Sequence, residues 1–338
     1  MKKLHTFNII PVLVLSFLCS FTFAQDDDED PGTDKLAQTG MKFLSFSPDA
    51  RAAALGDAFT AKTGGASSLF YNPAGMARLE GMNVVVGQTQ WIAEISYNAA
   101  GFAYASNAGV FGVSMMNVDY GDLQGTIRSS SESGYEETGL FKPTASVFGI
   151  GYAFAPTDRF SVGGQIKFAN EKLGTARLDA DGGDEKLDMS TTAFDFGLMY
   201  QMDWRNLMIA MSARNFSESL KYAEEAFELP LTFRMGVAAD VIENLSVSLV
   251  NEHPRDYSST TRVGVEYSLM NMLAIRAGFV TPTDEAGINL GVGFNMAGLN
   301  VDVAYTDFGV FDSVMRFGVQ YTLSVSYTHL TLPTILLV

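Results

Sequence analysis

From Asn83 onward the chain repeats one theme, a stretch of about eight to twelve residues in which apolar residues alternate with small or polar ones, bounded by turn formers. Phe160, Val162, Ile166 and Phe168 share one face and Ser161, Gln165 and Lys167 the other. The pattern recurs with Phe194, Phe196, Leu198, Tyr200 and Met202 against Asp195, Gly197, Met199 and Gln201. Fourteen such segments are predicted, at 83–90, 96–106, 110–119, 145–155, 160–171, 191–202, 207–215, 231–240, 245–252, 261–268, 273–280, 288–295, 299–306 and 314–323. Their connections alternate in length. Tight turns such as 107–109, 156–159, 203–206 and 242–244 are separated by longer stretches at 120–144, 172–190 and 216–230. Short turns on one rim and long loops on the other predict an all-β membrane protein, a fourteen-stranded antiparallel transmembrane β-barrel spanning 83–324.

A soluble β-sandwich also alternates, but its polar face meets water and is rich in Lys and Glu. Here the polar face is mostly Gly, Ser, Asn and Gln, with a sparse set of mixed charges: Lys167, Asp195, Arg234, Glu266, Arg276, Asp302 and Arg316. An enclosed lumen whose charges pair with one another fits that composition. Trp204, Tyr152, Tyr200, Tyr267, Tyr305 and Tyr321 fall near segment ends, where interfacial girdles lie.

Residues 25–82 do not alternate, and they read as a tether followed by a small plug. Ahead of them, Lys2, Lys3 and the apolar run Ile9–Phe23 form a secretory signal, residues 1–24, cleaved after Ala24. The single cysteine, Cys19, leaves with it, which excludes disulfides and thiol chemistry from the mature chain. Removing the two lysines takes the formal charge from -16 to about -18, which excludes nucleic acid as a partner. The acidic run Asp26–Asp30 is a solvated tether. Within the plug, Ala50–Leu55 predicts a short helix with Gly56 as its C-cap, and Asn72-Pro73 a turn. At the other end, residues 325–338 read as an adapter-derived artefact rather than natural sequence.

The order Phe43-Leu44, Pro48-Asp49-Ala50-Arg51-Ala52, Leu55-Gly56-Asp57-Ala58, Ala66-Ser67-Ser68 and Asn72-Pro73-Ala74-Gly75-Met76 resembles the N-terminal signature of the PorV/PorQ family, within the FadL-like fourteen-stranded barrels. The signature covers about 35 residues, and Asn72-Pro73-Ala74 alone is shared with FadL-type channels, where it belongs to a hatch inside the barrel. The resemblance implies a role in type IX secretion, the Bacteroidetes route in which such a barrel receives cargo at the outer rim. It makes Pro48, Asp49, Arg51, Gly56, Asp57, Asn72, Pro73, Ala74 and Gly75 the plug motif, with secreted proteins and other type IX components as partners. Arg51 is also expected to pair with Glu266 or Asp302.

Catalytic chemistry is not expected, nor any cofactor or metal. His253 is the one histidine that remains once the signal and the artefact are set aside, and it stands before Pro254 in an outer loop. The acidic stretch Asp179–Glu185 departs from the calcium-loop spacing and reads as solvated. Leu220, Ala223, Ala226 and Phe227 fall at helical spacing, so Leu220–Phe227 is expected as a short amphipathic helix, with Leu220 and Phe227 as outer-loop partner candidates. The resemblance makes a cargo shuttle the first functional reading; composition and periodicity do not separate it from the alternative, although the glycine-rich lumen face mildly disfavours a long apolar pocket. The alternative is a FadL-like channel for hydrophobic small molecules, and either barrel sits in outer-membrane lipid. A closed barrel resists SDS until boiled, so the protein should fractionate with outer membranes as a heat-modifiable band. Recovery in the soluble periplasm would refute the barrel.

Overall fold

The computed structural model describes residues 38–176, 185–218, 220–222, 225–283, 287–311 and 313–323. The signal, the acidic run from Asp26, the loop at 179–184 and the terminal 324–338 lie outside the described residues. The strands are β1 (Met82–Gln90), β2 (Ser96–Ser106), β3 (Gly109–Asp119), β4 (Leu123–Arg128), β5 (Tyr135–Phe141), β6 (Thr144–Phe154), β7 (Phe160–Ala176), β8 (Glu185–Gln201) and β9 (Met208–Phe216). They continue with β10 (Leu220–Tyr222), β11 (Glu225–Phe227), β12 (Thr232–Ile242), β13 (Leu245–Pro254), β14 (Thr260–Leu269), β15 (Leu273–Thr281), β16 (Ile288–Met296), β17 (Leu299–Thr306) and β18 (Val314–Leu323).

Fourteen of them form a closed antiparallel barrel in chain order, and β18 returns to β1 with Met82 opposite Leu323 and Gln90 opposite Met315. Closure leaves no open edge, the condition for putting sheet in lipid, where no water is present to satisfy a free N–H or C=O. No helix among the described residues is long and apolar enough to cross a membrane. The outward face is apolar: Val86, Phe102, Val113, Ile150, Ile166, Phe196, Leu198 and Leu290 are all exposed. Tyr104, Tyr152, Tyr200, Tyr267 and Tyr321 form an outward band near the short-turn rim. An apolar belt with such a girdle is the exterior of a bacterial outer-membrane barrel.

The strands match the alternating segments closely, with two differences. β7 and β8 run past the expected 160–171 and 191–202, continuing as a paired ribbon in which Thr175 faces Lys186 beyond a register shift. Their extra length mixes Lys172, Lys186 and Asp188 with Leu173, Leu187 and Met189. The segment Leu220–Phe227 is not a helix but a hairpin, β10 against β11, with Leu220 opposite Phe227. Eight residues are too few to sustain an isolated helix, whereas β9 and β12 already deliver the two ends of this loop antiparallel. The longer loop after β3 likewise folds back on itself as the β4–β5 hairpin.

Residues 38–81 thread the lumen from the long-loop rim to the short-turn rim. Near the outer rim, Gly40 N–H donates to the Glu228 carbonyl at 3.0 Å. Helix α1 (Ala50–Ala54) lies at mid-depth against β15 to β18. Asp49 caps its start, accepting from Ala52 N–H at 2.9 Å, and Gly56 and Asp57 close its end through N–H bonds to the Ala53 and Ala52 carbonyls. The all-alanine side of α1 packs on Ala304. The wall meets the plug with glycine. A Cβ on Gly278 would collide with the backbone of Leu55 and Gly56, on Gly291 with Ala54, on Gly163 with Pro73 and Ala74, and on Gly197 with Asn72. These wall positions are a cast of the plug in missing side chains. Gly278→Leu should therefore unseat the plug without breaking the strand, giving a heat-modifiable barrel with a clearly larger planar-bilayer conductance than the tight parent. An unchanged conductance in a folded variant would mean that the plug does not seal the lumen.

Candidate functional site

The lumen has two chemically different halves. On the side of β13 to β17, carboxylates and cations interlock. Glu266 on β14 accepts two bonds from Arg51 at 2.8 and 2.9 Å, one from Lys62 at 3.1 Å and one from Arg276 at 2.5 Å, and Arg276 also reaches Asp302 at 2.6 Å. Arg51 thus takes the first of its two expected partners. A second knot joins Glu252 to Arg262 at 2.6 Å and Arg234 at 3.1 Å, while Arg262 also donates to the Gly56 carbonyl at 3.2 Å. A third, across β7 and β8, pairs Lys167 with Asp195 at 2.8 Å. All seven lumen charges read from the sequence point inward and are buried. Arg316 stands apart, donating to Thr306 Oγ1 at 2.9 Å and lying over the Phe46 ring. Burial pushes the plug's Asp49 carboxyl above its usual range and holds Lys62 below its own, the latter against the pull of Glu266.

The plug motif residues all serve the fit of the plug. Pro48 sets its carbonyl against Gly87, and Asp57 faces Arg262 at 3.8 Å. Asn72 Nδ2 donates to the Thr60 and Leu198 carbonyls while its Oδ1 accepts from Ala74 N–H, and Pro73 opens the turn that follows. Gly75 leaves the room taken by Thr63 and Ser68. The contacts at Glu266 on β14 and of Asn72 with Leu198 on β8 hold the plug to two parts of the wall four strands apart.

The other half of the lumen, along β2, β3, β6, β7 and β8 toward the long-loop rim, is apolar, contrary to the uniformly polar face expected. Tyr97, Met116, Val118, Ala145, Val147, Ala169, Met189 and Ala193 line a chamber filled by Met41, Phe43 and Leu44 of the plug. Phe46 stacks on Tyr97 at 3.7 Å, and Trp91 packs edge-on between Phe46 and Phe308. Alternation masks such a chamber, because at the outer ends of these strands the pattern inverts: the inward positions are apolar and the outward ones polar, as at Asn98, Asn117, Ser146, Asn170 and Thr192. The readable signal was inward apolar residues such as Met116 and Val118 where the rest of the lumen carries Gly, Ser or charge. Phe227 packs against this chamber and against Gly40, while the side chain of Leu220 lies outside the described residues. At the short-turn rim two polar-edged cavities open, one of about 210 Å³ beside Arg51, Asn271 and Asn295, the other of about 390 Å³ beside Thr63, Arg78 and Met199.

Comparison with known proteins supplies a fold and a family. The UPF0164 profile, described as an uncharacterised protein family, matches residues 22–226. No curated protein matches the sequence. Among solved structures, the Pseudomonas putida toluene transporter TodX aligns over 81% of this chain and 98% of its own with a TM-score of 0.54 at 12% identity. The Ralstonia pickettii toluene transporter TbuX aligns over 82% and 98% with 0.54 at 14% identity. A Pseudomonas aeruginosa FadL homologue aligns over 81% and 98% with 0.55 at 12% identity. At such identities the likeness is one of fold, the FadL-like barrel.

Removing the hub of the first knot leaves Arg51, Lys62 and Arg276 short of their shared carboxylate, an uncompensated buried charge that costs on the order of 3–5 kcal/mol. Glu266→Gln should lower the urea midpoint of the heat-modifiable band and raise leak current together, whereas the rim pair variant Asp203→Asn, whose partner is Arg159, should change neither. Equal midpoints for the two variants would remove the knot's role in anchoring the plug.

Proposed function

The chain belongs to the UPF0164 family of uncharacterised proteins, and from that footing we propose that it is an outer-membrane conduit for hydrophobic small molecules and not an enzyme. The observation that carries this is the apolar chamber at the outer end of the lumen, walled by Tyr97, Met116, Val147, Ala169 and Met189 and separated by the plug from open cavities at the opposite rim. A soluble apolar compound gains about 0.8 kcal/mol per CH₂ removed from water there. The likeness to barrels named as toluene transporters supports the same reading. His253 contacts Ser259 at 2.6 Å on the exposed rim, and no carboxylate among the described residues bonds its ring, so no acyl-transfer machinery is assembled there.

A second reading, the PorV-like cargo shuttle, draws support from the plug signature and from the β4–β5 hairpin, which exposes Leu123, Ile127, Tyr135, Leu140 and Phe141 at the outer rim. One experiment separates the two. Ala193, fully buried in the chamber wall, changed to Trp should cut uptake of a labelled hydrophobic compound by at least about tenfold, the effect of ~1.4 kcal/mol of lost binding. Heat-modifiability would confirm an intact barrel. Undiminished uptake in that variant, with a secreted protein recovered by pull-down and lost when residues 123–141 are deleted, would replace the conduit with the shuttle.

A further inference from the structure

One half of the short-turn rim is apolar where a turn in water would be polar. The tips between β12 and β13, β14 and β15, and β16 and β17 carry Ile242, Met270, Met272 and Met296, all exposed, whereas the tips at 156–159 and 203–206 carry Asp158, Arg159, Asp203 and Arg205. Met270, 89% exposed, takes a left-handed φ of 52° at a turn position that favours Asn or Gly. Large apolar side chains gathered along such an edge mark a contact with membrane. Tyr267 of the girdle stands three residues before Met270, at most about 10 Å along the chain. Short turns face the periplasm and aromatic girdles lie at headgroup level, so these tips sit in the headgroup layer of the periplasmic leaflet.

Behind those tips lies the cavity of about 210 Å³. Its lip is Met272, Leu273 and Phe294, all exposed, with Leu273 opposite Phe294 on the outer wall. Its interior is polar. Asn295, Asn300 and Gln320 stand side by side on β16, β17 and β18, Asn295 opposite Asn300 and Asn300 opposite Gln320, and their side-chain amides make no hydrogen bond among the described residues. Arg51 closes the inner end. It spends Nε and Nη2 on Glu266, its Nη1 makes no hydrogen bond among the described residues, and its side chain is 35% exposed. The carboxylates beside it are already engaged by Arg276, and in that knot three cations, Arg51, Lys62 and Arg276, face two carboxylates, Glu266 and Asp302. The cavity thus combines an apolar lip, a row of amides and one unspent guanidinium nitrogen.

We propose that this cavity seats the headgroup of a phospholipid from the periplasmic leaflet. Its phosphate meets Arg51 Nη1, its other headgroup and ester oxygens meet the amides of Asn295, Asn300 and Gln320, and its acyl chains pass over Met272, Leu273 and Phe294 into the bilayer. A charge-assisted hydrogen bond favours the phosphate, and chain burial against the lip adds the apolar part. A free phosphate would meet the same guanidinium and leave the lip bare, whereas a diacylglycerol would cover the lip and leave the nitrogen unmet. The site lies at the opposite end of the lumen from the chamber and holds for either reading of what the barrel carries.

The chain's one cysteine, Cys19, lies in the predicted signal, so Asn271→Cys places a single bimane label at the cavity mouth. In maltoside micelles, the bimane response to dihexanoyl-phosphatidylglycerol should saturate at a concentration about tenfold or more below that needed with dihexanoylglycerol or with glycerol phosphate. Asn300→Trp, which fills the cavity and leaves the charge knot alone, should raise that concentration by a similar factor. Arg51→Met should do the same, and where that change costs the heat-modifiable band, Asn300→Trp carries the test. Equal responses to the two dihexanoyl probes would overturn phosphate recognition and the site with it. Glycerol phosphate as effective as the phospholipid would show a free-phosphate site and overturn the lipid. A phospholipid response unmoved by Asn300→Trp or by a folded Arg51→Met, or no response to any probe in a folded barrel, would overturn it as well.

Discussion

A ring of fourteen strands encloses more space than its own side chains fill, and the plug that occupies it packs backbone against backbone with the wall. That constraint explains the lumen-facing glycines. Where the plug passes, the wall gives up its side chains: Gly278 against Gly56, Gly264 against Leu55, Gly163 against Pro73, Gly197 against Asn72. The plug answers with residues equally spare, the alanines of α1 above all. Neither surface makes sense without the other.

A fit that close still needs register, and the buried charges supply it. Glu266 collects Arg51 and Lys62 from the plug and Arg276 from the wall, so a displaced plug would strand charge on both surfaces. Four strands away, Asn72 ties the plug to itself through the Thr60 carbonyl and to the wall through the Leu198 carbonyl of β8. Between these two anchors the plug is fixed at mid-depth. Its first residues, 38–46, are held in the outer chamber by apolar contact, by Thr39 and Lys42 on the buried Asp256 carboxylate, and by backbone bonds at Gly40 and Leu44.

The same division separates the two functional readings. Cargo exchange draws on the outer hairpins, of which β4–β5 is almost wholly exposed and β10–β11 turns Phe227 back toward the chamber. Small-molecule passage draws on the chamber itself and on the charged floor beneath it. The outward hairpins are compatible with either, whereas an apolar space inside the lumen has a direct use only in the second.

Much was legible in the sequence. The period of two, the alternation of short and long connections and the scarcity of charge on the polar face specify the barrel, its fourteen strands and their inward faces, because lipid outside and an enclosed lumen inside leave a strand no other arrangement. Gly56 as the end of a short helix and Arg51 as a partner for Glu266 or Asp302 could likewise be read, since caps and lone buried charges follow local rules. Three things were decided only in space. The hairpin at Leu220–Phe227 overrode a helical pattern because its neighbours fixed its ends. The chamber arose where inward apolar residues from five strands converge, each unremarkable alone. The bond from Arg214 to the Leu44 carbonyl formed only when the plug was threaded through the lumen, a contact across 170 residues of sequence that burial and closure create and no local pattern encodes.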